Sequence, residues 1–197
     1  MELTTITPGP EALKAMAHPV RLRLIGLLRH DGPSTASALA ARLGLNSGAT
    51  SYHLRQLAKH GYVVDDETRG NGRERWWRAA HQTTRVTESD ETQDDRDAID
   101  AFAQAIAIVH TEQLQHAVEE RPLLPLEWRE PSSLSDWSKH LTPDRALELS
   151  HAIDELVTQF VEDGEGTEGA EDFIVTVHGF PRPGQVATGA ADEGDPS

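Results

Sequence analysis

The sequence predicts a mainly α-helical chain with one small β-hairpin and a mostly helical C-terminal extension, and three observations carry that prediction. Apolar residues recur every three or four positions through residues 10–60 and again through 95–120, the spacing of one helical face. Prolines, glycines and capping residues fall between these runs. The β-rich residues on either side of Gly70-Asn71-Gly72 flank a tight-turn sequence, as a hairpin requires.

Each element has a local cause. Residues 10–28 split at His18-Pro19 into two helical pieces, because a proline without an N–H is tolerated in a first turn; Leu22, Ile25 and Leu28 then repeat along the second piece. Asp31-Gly32-Pro33 forms a turn. A short helix follows, with Ala36, Leu39, Ala40 and Leu43 on one face and Gly44 as its stop. Asn46 and Ser47 are capping types, and Leu54, Leu57 and Ala58 share a face of a fourth helix that ends at Gly61. Its other face carries Ser47, Ser51, Tyr52, Arg55 and Lys59. The hairpin pairs Tyr62-Val63-Val64 with Arg75-Trp76-Trp77-Arg78 and places Arg69 and Arg73 at its tip.

Downstream, residues 81–94 read as a connection in which Thr83 to Thr87 has the composition of a short strand. A long helix is expected from about Asp95 to Glu120. Its Ile99, Phe102, Ile106 and Val109 keep heptad spacing and are expected to form a dimer seam, with intramolecular core as the alternative. Pro122, Pro125 and Pro131 interrupt a stretch apolar enough to be expected in a collapsed core. Thr142-Pro143 opens another helix with Ala146, Leu149, Ile153, Leu156, Val157 and Phe160 on its apolar side. Phe173 to His178 reads as a strand, with Thr83 to Thr87 or a second subunit as its partner. The expected organisation is therefore a helical domain with its hairpin over residues 10–80, a connection over 81–94, a dimerisation or regulatory extension over 95–180 and a disordered tail over 181–197.

Charge is divided unevenly. The net charge of −15 argues against a nucleic-acid partner until the chain is split: residues 1–80 hold 11 Lys+Arg and 7 Asp+Glu, a net of +4, whereas residues 81–197 hold 7 and 26, a net of −19. The complete absence of cysteine excludes disulfides, thiolate metal sites and cysteine nucleophiles. No apolar run is long enough for a membrane span and no secretory signal is evident, so a cytoplasmic location is expected. No pairing of nucleophile and base, phosphate-binding glycine loop or metal-ligand string points to an enzyme or to a cofactor. Glu112, His116 and Glu120, four residues apart, are better read as a solvated helix surface than as a metal site.

Helix, helix, short helix, a helix with a small polar outer face and a basic hairpin make the succession of a winged helix-turn-helix. A helix so decorated fits the roughly 12 Å wide major groove. At Ala15-Met-Ala-His-Pro-Val-Arg-Leu-Arg-Leu-Ile25 and Ser51-Tyr-His-Leu-Arg-Gln-Leu-Ala-Lys-His-Gly-Tyr-Val63 the chain resembles the ArsR-type winged-helix repressors of prokaryotes. The resemblance spans about residues 10–80. It implies a dimeric repressor bound to a double-stranded DNA operator and released by a signal, with an unidentified small-molecule effector as one candidate signal. By position it implies DNA contacts from Ser47, Gly48, Ser51, Tyr52 and Arg55, with His53 either structural or touching phosphate.

The wing residues Arg69, Asn71 and Arg73 are the expected phosphate or minor-groove contacts. Arg75 contacts phosphate or pairs with a local carboxylate. Arg21 and Arg23 support the fold or touch the DNA backbone. Of Trp76 and Trp77, which alternate across a strand, at most one faces the core. Many members of the resembling family sense metals through cysteines, which this chain lacks, so its sensing chemistry does not follow from the resemblance. A protein-interaction module that uses the winged-helix surface without binding DNA is the alternative.

Overall fold

Prolines and capping side chains set where the helices begin. The computed structural model describes residues 4–69, 74–86, 92–164 and 166–186, and the chain divides into two units, residues 1–129 and 130–197. In the first unit, β1 (Thr5–Ile6) precedes α1 (Pro10–Met16) and α2 (Pro19–His30). Pro10 and Pro19 each occupy a first turn, and His18 between the two helices is extended, as the residue before a proline tends to be. β2 (Ser34–Thr35) runs directly into α3 (Ala36–Leu43), whose first turn is capped by Thr35 accepting from the Ala38 N–H at 3.2 Å. Gly44 ends α3 at φ 64°, a left-handed conformation that glycine adopts without a Cβ penalty. Two residues later Asn46 caps α4 (Ser47–Lys59), its side-chain oxygen accepting from the Ala49 N–H at 2.7 Å.

β3 (Val63–Asp65) and β4 (Trp76–Ala79) form the antiparallel arms of the hairpin, and β2 adds to the outer side of β4, giving the order β2-β4-β3. The register pairs Val63 with Ala79 and Asp65 with Trp77 on one side of β4, and Ser34 with Trp77 on the other. The hairpin tip at Asn71 and Arg73 lies outside the described residues. β5 (Thr83–Thr84) is the short strand expected there, but its partner is β1, in parallel register Thr5 to Thr83. α5 (Gln93–Glu120) begins two residues before the expected start, where Thr92 accepts from the Asp95 N–H at 3.1 Å.

The core of this unit joins Met16, Leu24, Leu28, Leu39, Leu54, Leu57, Tyr62 and Trp77 with Phe102 from α5; Ile99 and Ile106 pack against it. Three residues of the stripe expected to form a dimer seam, Ile99, Phe102 and Ile106, are instead taken up by the core of their own chain. Phe102 is 7% exposed, and Ile99 and Ile106 are half-buried beside it, so these three side chains are occupied within their own chain. Val109 is half-buried. Trp77 is the core tryptophan and Trp76 faces partly outward.

The apolar stretch after α5 does not form the expected collapsed core. Leu123, Leu126, Leu134 and Trp137 are each at least 70% exposed, because the prolines deny them a common helical face. The backbone there turns through Arg121–Leu123 and α6 (Leu126–Arg129), closed by Arg129, whose Nε donates to the Leu124 carbonyl at 2.7 Å. In the second unit, α7 (Pro143–Gln159) starts at the Thr142 cap as expected, and none of its residues is buried. Residues 173–178 form no strand, contrary to expectation: Thr83–Thr84 is paired with β1, and Phe173, Ile174, Val175 and Val177 are all more than half exposed. Residues 187–197 of the expected tail lie outside the described residues.

Candidate nucleic-acid interface

The tight turn at Gly44 and the cap at Asn46 fix how α4 leaves α3, and Leu54 and Leu57, both fully buried, lock its inner face onto the core. Thr50 completes that face, its hydroxyl donating to the Asn46 carbonyl at 3.1 Å. The opposite face is thereby pushed outward. Ser47, Gly48, Arg55 and Lys59 are exposed, Tyr52 is 50% exposed and Ser51 is half-buried. These are the residues whose types and spacing suit the major groove: two hydroxyls, a phenol and a guanidinium within three turns, with Gly48 beside them.

His53 separates from that set. It sits on the inner flank of α4, its ring 4.7 Å from the ring of His18 with the planes tilted by 54°. Its Nδ1 is buried without a hydrogen-bond partner among the described residues. Of the two roles open to it, the structural one matches this position.

The root of the wing is held by charge. Arg75 forms a two-pronged ion pair with Asp65, and its guanidinium lies 4.0 Å over the Trp77 ring. Arg75 is therefore committed to a local carboxylate, the alternative left open for it. The pairing holds the Asp65 carboxyl below, and the Arg75 guanidinium above, their usual ranges. Asp66 is buried at the start of the tip, accepting from the Thr68 hydroxyl at 2.5 Å and the Thr68 N–H at 3.1 Å; those bonds hold its carboxyl below the usual carboxylate range. Arg69 lies exposed above this turn, 3.9 Å from the Asp66 carboxylate and 5.8 Å over the Trp76 ring. Charge pairs of this kind were legible only as residue types, since the hairpin register is what brings Asp65 opposite Trp77 and next to Arg75.

Between α3, α4 and β4 lies an open notch of about 370 Å³ bordered by Ser37, Ser51, Arg55, Glu74 and Arg75. Ser37 was not among the sequence-derived candidates; its exposed place in the first turn of α3 emerges only when β2 docks on β4. Arg21 and Arg23 support the fold. Arg21 donates to the Ala15 carbonyl at the end of α1, and Arg23 pairs with Glu112 of α5, which takes Glu112 out of any grouping with His116 and Glu120. Among the described residues no helix is long and apolar enough to cross a membrane.

Comparison with known protein families matches part of this segment. Residues 16–63 match the helix-turn-helix domain family. No curated protein matches the chain. Among solved structures the chain is similar to a double mutant of ZitR from Lactococcus lactis in apo form, at 16% identity over 70% of this chain and 81% of that one, TM-score 0.31. It is also similar to YusO from Bacillus subtilis, at 14% identity over 77% and 84%, TM-score 0.32, and to RV1404 from Mycobacterium tuberculosis, at 15% over 76% and 82%, TM-score 0.30. Similarity at this level establishes neither family nor ligand. The segment that matches the helix-turn-helix family runs from the end of α1 into β3 and contains the α3, turn and α4 described above.

Proposed function

We propose that the chain is a sequence-specific DNA-binding transcription regulator, a dimeric repressor of the ArsR type that does not use cysteine-based metal sensing. The observation that carries the reading is the outer face of α4. A helix capped by Asn46 and anchored by Leu54 and Leu57 offers Ser47, Gly48, Ser51, Tyr52 and Arg55 together, beside a basic hairpin. In a dimer, two such helices enter successive major grooves about 34–36 Å apart, and the wings bear on the flanking backbone. Arg55 reads a base edge; Arg69 and the tip residues Asn71 and Arg73 bear on phosphate.

The dimer contact is assigned to α5 and the extension that follows it. Ile99, Phe102 and Ile106 are used by the core, which leaves Val109 with the exposed Ile108, Leu114 and Val118 for a second chain. The acidic 81–197 segment keeps the assembly soluble and turns nonspecific polyanions away.

Selection from a random duplex pool at low salt tests the reading: one enriched site, with two half-sites about 10 base pairs apart centre to centre, is expected. Arg55→Ala then weakens the selected site by about 1–3 kcal/mol and random duplex much less, whereas Arg73→Ala weakens both and reduces the salt slope by about one. Failure to enrich any site would favour a protein-interaction module. Equal losses on both duplexes for Arg55→Ala would remove it from base reading.

A further inference from the structure

His18 stands immediately before Pro19, and that proline holds it extended, φ −144° and ψ 120°, at the mouth of α2. From there its Nδ1 accepts the Val20 N–H at 3.2 Å and so caps the helix. Imidazole accepts only through an unprotonated nitrogen, so the cap exists only while Nδ1 of His18 is bare. The ring of His53 from α4 rests on the same imidazole at 4.7 Å, with its own Nδ1 buried and unpartnered among the described residues. Among the described residues, the ring contact between the α1–α2 junction and the helix bearing Ser51, Tyr52 and Arg55 is thus made of two titratable groups.

We propose that the His18–His53 pair is an acid-sensitive joint that positions α4, so that protonation as the pH falls below neutrality withdraws the outer face of α4 from DNA. This rests on the DNA-binding reading above.

The surroundings give the device its sign. From α2, Arg21 and Arg23 face the pair; Arg21 donates to the Ala15 carbonyl of α1, and Arg23 is engaged with Glu112 of α5. From α4 itself the Tyr52 ring meets His53 edge-on at 5.5 Å. None of the groups acting on either imidazole is a carboxylate. A proton on His18 turns the cap acceptor into a donor pointing at the Val20 N–H. A proton on His53 places an unpaired cation in a half-buried position, against Arg21 and a second imidazole. Burial first, and then the neighbouring cations, hold both groups below the ordinary imidazole value of 6.5.

The closed joint therefore binds fewer protons than an opened one. Its stabilisation is complete above about pH 6.5 and is lost as the pH falls through the lower values of the folded state. Below that point the open joint takes up protons that the closed joint excludes, so binding weakens as the pH falls.

The test is fluorescence anisotropy on the selected duplex at constant salt, from about pH 7.5 to about pH 5.5, with thermal melts of the free protein over the same range. The wild type is expected to lose about tenfold or more in affinity and to melt earlier at the acid end. The His18→Asn/His53→Phe double variant keeps a side-chain cap and an aromatic contact that do not titrate. It retains the other eight histidines and should lose less than about threefold. The single His53→Phe variant serves where the pair fails to fold, and should halve the logarithmic loss.

A wild type indifferent to pH, or a double variant with the wild-type profile, overturns the proposal. Absence of duplex binding at every pH defeats the DNA-binding reading instead. The melts then still decide whether the joint opens in acid.

Discussion

Tyr62 offers a core substitution that should stabilise the protein. The residue is fully buried at the turn from α4 into β3, where its N–H donates to the Leu57 carbonyl at 3.0 Å and its carbonyl accepts from the Ala80 N–H at 2.9 Å. Both backbone bonds survive a side-chain change. The hydroxyl has no hydrogen-bond partner among the described residues, and burial pushes the phenol up to about 12. A buried, unsatisfied hydroxyl forfeits about 1–3 kcal/mol of hydration. Against this stand a few oxygen contacts at about 0.1–0.2 kcal/mol each and a modest attraction to Arg29. Tyr62→Phe should therefore raise stability by about 1 kcal/mol, whereas most core substitutions lower it. With a urea slope of about 1–3 kcal/mol per molar, the midpoint rises by roughly 0.5 M at unchanged slope. Tyr62→Ala, which empties the ring site, should cost about 3–5 kcal/mol and serves as the control. A loss of about 1 kcal/mol or more for Tyr62→Phe would show that the hydroxyl is bonded in solution and would refute the reasoning.

Leu54→Ala removes a fully buried side chain from the inner face of α4 and should cost about 2–5 kcal/mol in urea unfolding. Asn46→Ala removes the cap that starts the same helix, for a loss of about 1 kcal/mol in the same assay. Arg75→Ala should leave the salt slope of duplex binding unchanged while Arg69→Ala lowers it, because Arg75 is spent on Asp65; equal slopes for the two variants would contradict the assignment. The Asp65 and Asp66 carboxyls are held below 3.8, so their contribution to the wing is full above that value and disappears as the pH falls through their lower native values. Tryptophan emission of the Asp66→Asn variant should accordingly respond less to acid than that of the wild type.

How much was legible follows the range of the cause. The recognition face of α4 could be read directly, since Leu54 and Leu57 point one way and Ser51 and Arg55 another at helical spacing. β1 and β2 could not: two residues carry no periodicity, and each exists only because a distant strand lies beside it. Among the site residues, the sequence left His53 open between a structural role and a phosphate contact. His53 was set apart by the ring of His18, 35 residues earlier in the chain. The commitments of Arg75, Arg23 and Glu112 depend in the same way on which carboxylate or guanidinium the fold delivers.

The sequence by itself determined where the helices begin and end. Pro10, Pro19, Thr35, Gly44, Asn46, Thr92 and Thr142 act within four residues of themselves, through a missing N–H, a left-handed backbone or a hydroxyl facing an orphan donor. Only the tertiary structure decided what each apolar surface meets. It placed Phe102 in the chain's own core, gave Thr83–Thr84 to β1 and left residues 173–178 without a strand. Hydrophobic burial is non-directional and carries no address in sequence, so an apolar stripe announces that it needs a partner without saying which.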